Sequence, residues 1–127
     1  MHVLNPPELF TPAAGYSQGI AAGNLIFVAG QVSFDSDMKV VGEGDVAAQT
    51  RQTLANVEAV LKSAGASLKD VVSTTVFLKS FERYKEYDEV YMECFGDHRP
   101  ARATVRADLV LPNLLVEIQA IAWRKEP

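Results

Sequence analysis

Apolar and polar positions near the start of the chain follow the short period of strands. The runs Tyr16–Ala21 and Leu25–Gly30 are rich in β-forming residues, and the Gly-Asn pair between them predicts a hairpin. The segment Phe34–Val41 predicts either a third strand or a turn, because three polar residues at positions 35–37 interrupt its apolar pattern. Prolines at positions 6, 7 and 12 predict that the first dozen residues are extended and irregular, since proline cannot donate to a strand ladder.

The clearest element is a helix that begins after Asp45 and ends before Gly65. Asp45 is a suitable N-cap because its carboxylate can accept hydrogen bonds from the first-turn amides. Gly65 suits the left-handed position that follows many helices. The inward residues at helical spacing are Val46, Thr50, Leu54, Val57, Val60, Leu61 and Ala64. The residues predicted to lie mainly on the outer side are Arg51, Asn56, Glu58 and Lys62.

The second half of the chain predicts a strand, a helix and two further strands. β-Branched residues dominate Asp70–Lys79 and favour a strand there. Ser80 is the predicted N-cap of a second helix, and Gly96 ends it. The inward stripe of this helix contains Tyr84, Tyr87, Tyr91, Cys94 and Phe95. Two strands, Ala101–Ala107 and Leu114–Arg124, close the chain on either side of a turn at Pro112 and Asn113.

The element order ββ(β)αβαββ predicts the fold class. Two amphipathic helices cannot cover both faces of a five- or six-stranded sheet, so both are expected on one face. We therefore predict a single α+β domain over residues 1–127, a two-layer sandwich with a mixed sheet. The central strand is apolar on both sides, which favours burial of the second face against other copies of the chain.

Composition narrows the class of protein further. The chain has 127 residues, a net charge of −4 and one cysteine. The negative balance gives no general attraction to nucleic acid or anionic lipid. One cysteine forms no internal disulfide, and Cys-cluster metal sites are excluded. The start of the chain does not resemble a signal peptide, and no apolar run is long enough to span a membrane, so a cytoplasmic location is expected.

Strand periodicity singles out two charged residues. Arg102 shares a strand face with Thr104 and Arg106, whereas Glu117 lies mid-strand between apolar residues. A carboxylate there is costly unless it is paired. If the last two strands are neighbours, Arg102 and Glu117 approach each other. They then form either a structural ion pair or a site in which the guanidinium holds a substrate carboxylate and Glu117 deprotonates water.

Other polar and aromatic residues have simpler interpretations. Cys94 is expected to be a buried structural thiol, and His98 a surface or loop hydrogen-bonding residue. Two histidines in the chain make a histidine-based metal site improbable. Tyr84, Tyr87 and Tyr91 are interpreted as helix packing rather than ligand stacking.

Several stretches together resemble the RidA (YjgF/YER057c/UK114) family. They occur in the family's order and spacing over nearly the whole chain. The stretches are Gly15–Gly19, Val28–Gln31, Asp45–Arg51, Thr74–Phe77, Pro100–Arg102 and Val116–Ala122. The resemblance implies a chorismate-mutase-like fold, a homotrimer whose sheets form a central barrel, and ligand clefts between subunits. It also implies hydrolysis of reactive enamine and imine acids such as 2-aminoacrylate to a 2-keto acid and ammonia, with no metal or organic cofactor.

The resemblance assigns roles to five residues. Arg102 matches the arginine that holds the substrate carboxylate, and Glu117 matches the acid that activates water. Tyr16 matches a tyrosine that lines the cleft. Gly30 lies at a strand end where the main chain of family members contacts the ligand. Thr104 stands where many members have cysteine, and its amide or hydroxyl is expected to bind substrate.

The chain also departs from the family pattern. Ala29 stands where serine is common, and Asp108 where a small or basic residue is usual. The segment 96–100 is short, as in the RutC-like branch. The alternative function is a trimer that binds small carboxylates without catalysis or acts as a chaperone-like surface. RNA cleavage, also attached to the family, is disfavoured by the net charge of −4.

Overall fold

The computed structural model describes residues 1–127 and contains one six-stranded sheet covered on one face by two helices. The strands are β1 (His2–Leu4), β2 (Gly19–Ala22), β3 (Leu25–Gln31), β4 (Val71–Leu78), β5 (Ala101–Arg106) and β6 (Val116–Trp123). The helices are α1 (Val46–Ser63) and α2 (Tyr84–Phe95), with a short 3₁₀ helix at Leu68–Asp70. The strand order is β1-β2-β3-β6-β4-β5, and only the β4–β5 pair is parallel. The predicted α+β sandwich with a mixed sheet is confirmed.

The hydrophobic core lies between the sheet and the helices. In β6, alternate residues are buried against the helices; they are Val116, Ile118, Ala120 and Ala122. Across from them, the apolar stripe of α1 is fully buried at Leu54, Val57, Val60 and Leu61. Removing this apolar surface from water is the main stabilising contribution to the packing of α1 on β3 and β6.

Both predicted caps of α1 are present. The Asp45 carboxylate accepts a hydrogen bond from the Ala48 amide at 3.0 Å. Gly65 has φ +77°, the left-handed conformation that lets the chain turn away after the helix. The placement of Asn56 on the outer side is wrong. Its amide is buried and donates to the carbonyls of Val32 and Phe34, because the loop after β3 crosses this side of the helix.

The predicted start of the second helix is also wrong. Ser80 accepts a hydrogen bond from the Glu82 amide in a separate turn, and α2 begins at Tyr84 after Arg83, which makes no side-chain cap. The Arg83 guanidinium instead donates to the Gly44 carbonyl at 2.8 Å. Gly96 ends α2 as predicted.

The N-terminal region is more regular than predicted. Residues 2–4 form β1, which pairs with β2 before the prolines begin. The predicted strand from Tyr16 is shorter and begins at Gly19. Between positions 34 and 41 the chain makes only an isolated bridge, Phe34 with Val40, around a turn.

The face of the sheet opposite the helices carries exposed apolar side chains, and we call it the open face. Leu25, Phe27, Val105 and Trp123 are between 39% and 50% exposed there. Single exposed apolar residues are ordinary, but several on one sheet face are typical of an interaction surface. In this structure, no helix has both the length and the apolar character needed to cross a membrane.

Candidate functional site: two half-sites on opposite faces of the sheet

β5 and β6 are not neighbours, so the condition under which Arg102 and Glu117 would approach each other is not met. β4 lies between them, and the β4–α2–β5 crossover places β5 at the edge of the sheet. Arg102 is opposite Thr74 of β4, whose hydroxyl hydrogen bonds to Tyr91 on the helix side. Glu117 is opposite Phe77, three positions further along β4. Because side chains alternate along a strand, Arg102 faces the helices and Glu117 faces the open face.

Arg102 is held in an aromatic and acidic environment, which we call the arginine cluster (Arg102, Asp88, Tyr84, Tyr87 and Tyr91). Its Nη1 donates to Asp88 Oδ1 at 2.6 Å, and its Nη2 donates to the Tyr84 hydroxyl at 2.8 Å. The guanidinium carbon lies 4.7 Å from the ring centre of Tyr91 and 5.6 Å from that of Tyr87. Cation–π attraction and the ion pair therefore fix the guanidinium, whose side chain stays 23% exposed.

The helical spacing of α2 explains how this cluster forms. Tyr84, Asp88 and Tyr91 are separated by four and three positions, so they lie on one side of the helix. The interpretation of the tyrosines as packing is correct for Tyr87 and Tyr91, which are buried. It missed their contact with Arg102. The acidic and aromatic i, i+4, i+7 pattern is a signal that could have indicated a cation partner.

Electrostatics of the cluster favour the charged arginine. Burial acts against the guanidinium charge, but the hydrogen bond that Arg102 donates to Asp88 and the neighbouring tyrosines outweigh it and raise the pKa of Arg102. Burial raises the pKa of Tyr91, although its hydrogen bond to Thr74 works in the other direction. Tyr87 and Tyr91, whose pKa values burial raises, are therefore neutral, and the arginine is cationic at every physiological pH.

Thr104 lies on the same side of β5 as Arg102. It is half-buried and its hydroxyl approaches that of Tyr87, which is buried without completing a hydrogen bond. The structure thus brings Thr104 together with Arg102, on the helix side of the edge strand. Next to them is a hollow of about 370 Å³ whose wall includes Asp88, Arg99 and Arg102.

Glu117 occupies a second hollow, which we call the glutamate pocket, of about 240 Å³. Tyr16, Gly30 and Val110 also line it. An irregularity in the β3–β6 pairing between Val28 and Gln31 brings Gly30 against the glutamate. A Cβ at Gly30 would collide with the Glu117 carboxylate, so only glycine permits this close approach.

Glu117 has no hydrogen-bonding or ionic partner, and burial raises the pKa of its carboxyl group above the ordinary value. Burial, followed by the charge of Glu117, raises the pKa of Tyr16. The phenol is therefore a proton donor and the carboxylate an acceptor at neutral pH. A carboxylate with a raised pKa and no partner is suited to accept a proton from water.

Buried amides beside this pocket were missed by the sequence reasoning. Gln31 Nε2 donates to Gln18 Oε1 at 2.9 Å, and Gln18 Nε2 donates to the Phe10 carbonyl at 2.8 Å. Both glutamines are at most 4% exposed. These two hydrogen bonds connect Phe10, in the segment before Tyr16, to Gln31 at the end of β3. No periodic pattern in the sequence predicts them.

The remaining candidates have structural roles. Burial raises the pKa of the Cys94 thiol, which keeps it protonated and unreactive. The ring Nε2 of His98 lies 2.6 Å from the Val71 carbonyl oxygen, so His98 is a loop hydrogen-bonding residue as predicted. No group of three or more His, Cys, Asp or Glu side chains is arranged to hold a metal ion.

Comparison with known proteins identifies the family. The family model described as Endoribonuclease L-PSP, which is the YjgF/RidA family, matches residues 7–124. The chain belongs to this family. The RutC family protein PH0854 from Pyrococcus horikoshii is 43% identical over 114 residues, which are 90% of each chain. The predicted resemblance to the RidA family is therefore confirmed.

Solved structures of the RidA/YjgF family share the fold. The YjgF gene product of E. coli has a TM-score of 0.90 and 32% identity, covering 98% of this chain and 100% of that one. E. coli TdcF, solved with bound serine, has a TM-score of 0.90 and 28% identity with the same coverage.

Proposed function

We propose that this protein is a cofactor-independent deaminase of small imine and enamine acids. Its products are a 2-keto acid and ammonia, and its substrates are of the 2-aminoacrylate or 2-iminobutanoate type. The observation that carries the proposal is the unpaired, half-buried Glu117 with a raised pKa in an open pocket. Residues with perturbed pKa values in clefts are functional candidates because an unpaired carboxyl group does not stabilise a fold.

The proposal includes a homotrimer with sites between subunits. Within one subunit, Arg102 and Glu117 lie on opposite faces, so one copy of the chain carries two incomplete halves. β5 is an edge strand, so its outer main-chain groups have no strand partner, and the open face is apolar. Both features support packing of the β5 edge of one subunit beside the glutamate pocket of the next. Homotrimers are typical of the family.

In the proposed reaction, Arg102 binds the substrate carboxylate and Thr104 adds a hydrogen bond beside it. The enamine first tautomerises to the imine, whose carbon is electrophilic. Glu117 then takes a proton from water while the water oxygen forms a bond to that carbon, which gives a tetrahedral carbinolamine. Glu117 passes this proton to the nitrogen and returns to its ionised state. The C–N bond then breaks while the hydroxyl proton moves to the departing nitrogen, which forms the keto group and releases ammonia.

Tyr16 and Gly30 shape the space in which this water moves. The phenol keeps its proton at neutral pH because its pKa is raised, so it can donate a hydrogen bond to the nitrogen or oxygen of the intermediate. Gly30 leaves room beside the carboxylate that any other side chain would fill. Orientation by Arg102 and proton transfer by Glu117 supply the largest rate effects.

Subunit mixing tests both the chemistry and the shared site. The turnover assay generates 2-aminoacrylate in situ and follows release of the 2-keto acid above the buffer rate. R102A and E117Q trimers should each lose activity by on the order of 10²-fold or more. Unfolding and refolding the two variants together should restore about a quarter of wild-type activity, because each mixed ring contains one site with both intact residues.

Three results would contradict parts of the proposal. An unchanged rate in R102A trimers would remove Arg102 from the site. Inactive single variants that do not complement each other would show that the site is not shared between subunits. Ligand retention without any turnover in the wild type, or turnover independent of Glu117, would favour the non-catalytic carboxylate binder.

A further inference from the structure

The shortest ion pair of the molecule joins Arg102 and Asp88. Their 2.6 Å contact joins side chains that are only 23% and 27% exposed, whereas the Arg51–Glu93 pair on the helix surface is 57% and 63% exposed. Shielded charges interact more strongly than exposed ones because less water screens them. Asp88 therefore offsets much of the charge with which Arg102 would attract another carboxylate.

Asp88 also limits the geometry of the guanidinium. Its oxygen occupies Nη1 and the Tyr84 hydroxyl occupies Nη2, so the planar group is held in one orientation from two sides. The rings of Tyr87 and Tyr91 restrict it from the faces. A substrate carboxylate must use the remaining N–H groups or displace Asp88. The fixed orientation favours binding, while the nearby negative charge opposes it.

We propose that Asp88 is a positioning residue that orients Arg102 and weakens its hold on carboxylates. This inference rests on the proposed function, since it takes Arg102 as the carboxylate-binding group. The hollow beside the pair contains one more cation, Arg99, which donates only to main-chain carbonyls. The charge of Arg102 is thus the one that Asp88 regulates. The consequence is rapid release of a keto-acid product that carries the same carboxylate as the substrate.

The test measures binding of 2-oxobutanoate, an unreactive keto-acid probe, to purified trimers by calorimetry. D88N keeps an oxygen acceptor for Nη1 but removes the charge, so its Kd should fall by about three- to tenfold. D88A removes the acceptor as well, and it should bind less tightly than D88N because the guanidinium is less well oriented. E89Q, on the exposed neighbour in the same helix, removes an equal charge and should bind like the wild type.

Turnover gives a second readout that a purely structural role would not change. The carboxylate is held equally in the bound substrate and in the transition state, so D88N should lower KM without raising kcat. The size of the KM change should match the change in Kd for the probe.

The outcomes separate the two ideas. One outcome is that R102A abolishes probe binding while D88N binds the probe no more tightly than the wild type. In that case Asp88 does not weaken the binding of carboxylates by Arg102, and only this inference fails. An equal gain in E89Q would assign the effect to the net charge of the helix and would also overturn it. If R102A binds the probe like the wild type, Arg102 is not the carboxylate-binding group, and the proposed function fails as well.

Discussion

The arginine cluster and the glutamate pocket differ in how completely their charges are satisfied. Arg102 has an acidic partner, a phenolic partner and aromatic faces around it. Glu117 has none of these, and burial alone raises the pKa of its carboxyl group. The charge of Arg102 is therefore satisfied within one copy of the chain, whereas the Glu117 carboxyl group has no partner there.

Under the proposed function, this difference assigns substrate binding to the arginine cluster and the chemical step to Glu117. A group that orients a ligand works best when its own position is fixed, as Arg102 is. A group that exchanges a proton must be free to change charge, and hydrogen bonds from a fixed partner would oppose that change. The contrast predicts that substitutions at Glu117 affect the chemical step, while substitutions in the arginine cluster affect binding.

The largest expected effect comes from E117Q, which keeps the shape of the side chain but cannot accept a proton. Its kcat should fall by about 10²- to 10³-fold, while its Kd for 2-oxobutanoate stays within about twofold of the wild type. In the wild type, the rate should rise with pH through the pKa of Glu117, which burial raises above its ordinary value. This acid limb should be absent from the residual activity of the variant, measured as kcat across pH 4 to 9. A large change in Kd would contradict the division into binding and reacting halves.

A smaller effect is expected from G30A. The added methyl group collides with the end of the flexible Glu117 side chain, so the carboxylate must move while the backbone stays in place. We expect kcat/KM to fall by about tenfold, with little loss of thermal stability. G15A, in the same region, is the matched control, because nothing lies within 4 Å of the position where its Cβ would be. Equal activity of G30A and the wild type would show that the absence of a side chain at Gly30 is not needed for activity.

The smallest effect concerns stability. Because the pKa of Glu117 is raised in the folded state, its contribution to stability is fully present below the ordinary carboxyl pKa and is lost as pH rises through the raised value. E117Q avoids this loss and should melt about 1 to 3 °C higher than the wild type at pH 7. The difference should shrink as pH falls towards 4, when scanned by calorimetry beside E89Q. A less stable E117Q at pH 7 would show that the carboxylate has a stabilising partner in the assembled protein.

Local features of the sequence were enough to predict most elements but not their arrangement. Asp45 and Gly65 bound α1 correctly because capping depends on a few neighbouring residues. The buried residues of β6 alternate with less buried ones, as the period of a strand requires. The position of β5 does not follow from such alternation, because a turn between β5 and β6 suits a hairpin as well as two strands separated by β4. Strand order depends on non-local pairing, which periodicity does not encode.

The same limit applies to the candidate site. Arg102 and Glu117 were singled out from residue type and family resemblance, and their separation onto two faces required the sheet topology. Asp88 was not selected, since a carboxylate in an exposed helical pattern resembles any solvated acid. Asn56 was misplaced because the loop that covers it comes from a distant part of the chain.

The free edge of β5 has a consequence for a newly made copy of the chain. Its main-chain N–H and C=O groups are unpaired and adjoin apolar side chains such as Val105. Such an edge can add a strand from any chain that reaches it, which is the first step of aggregation. Rapid assembly into the proposed trimer would therefore cover this edge as well as complete the proposed site.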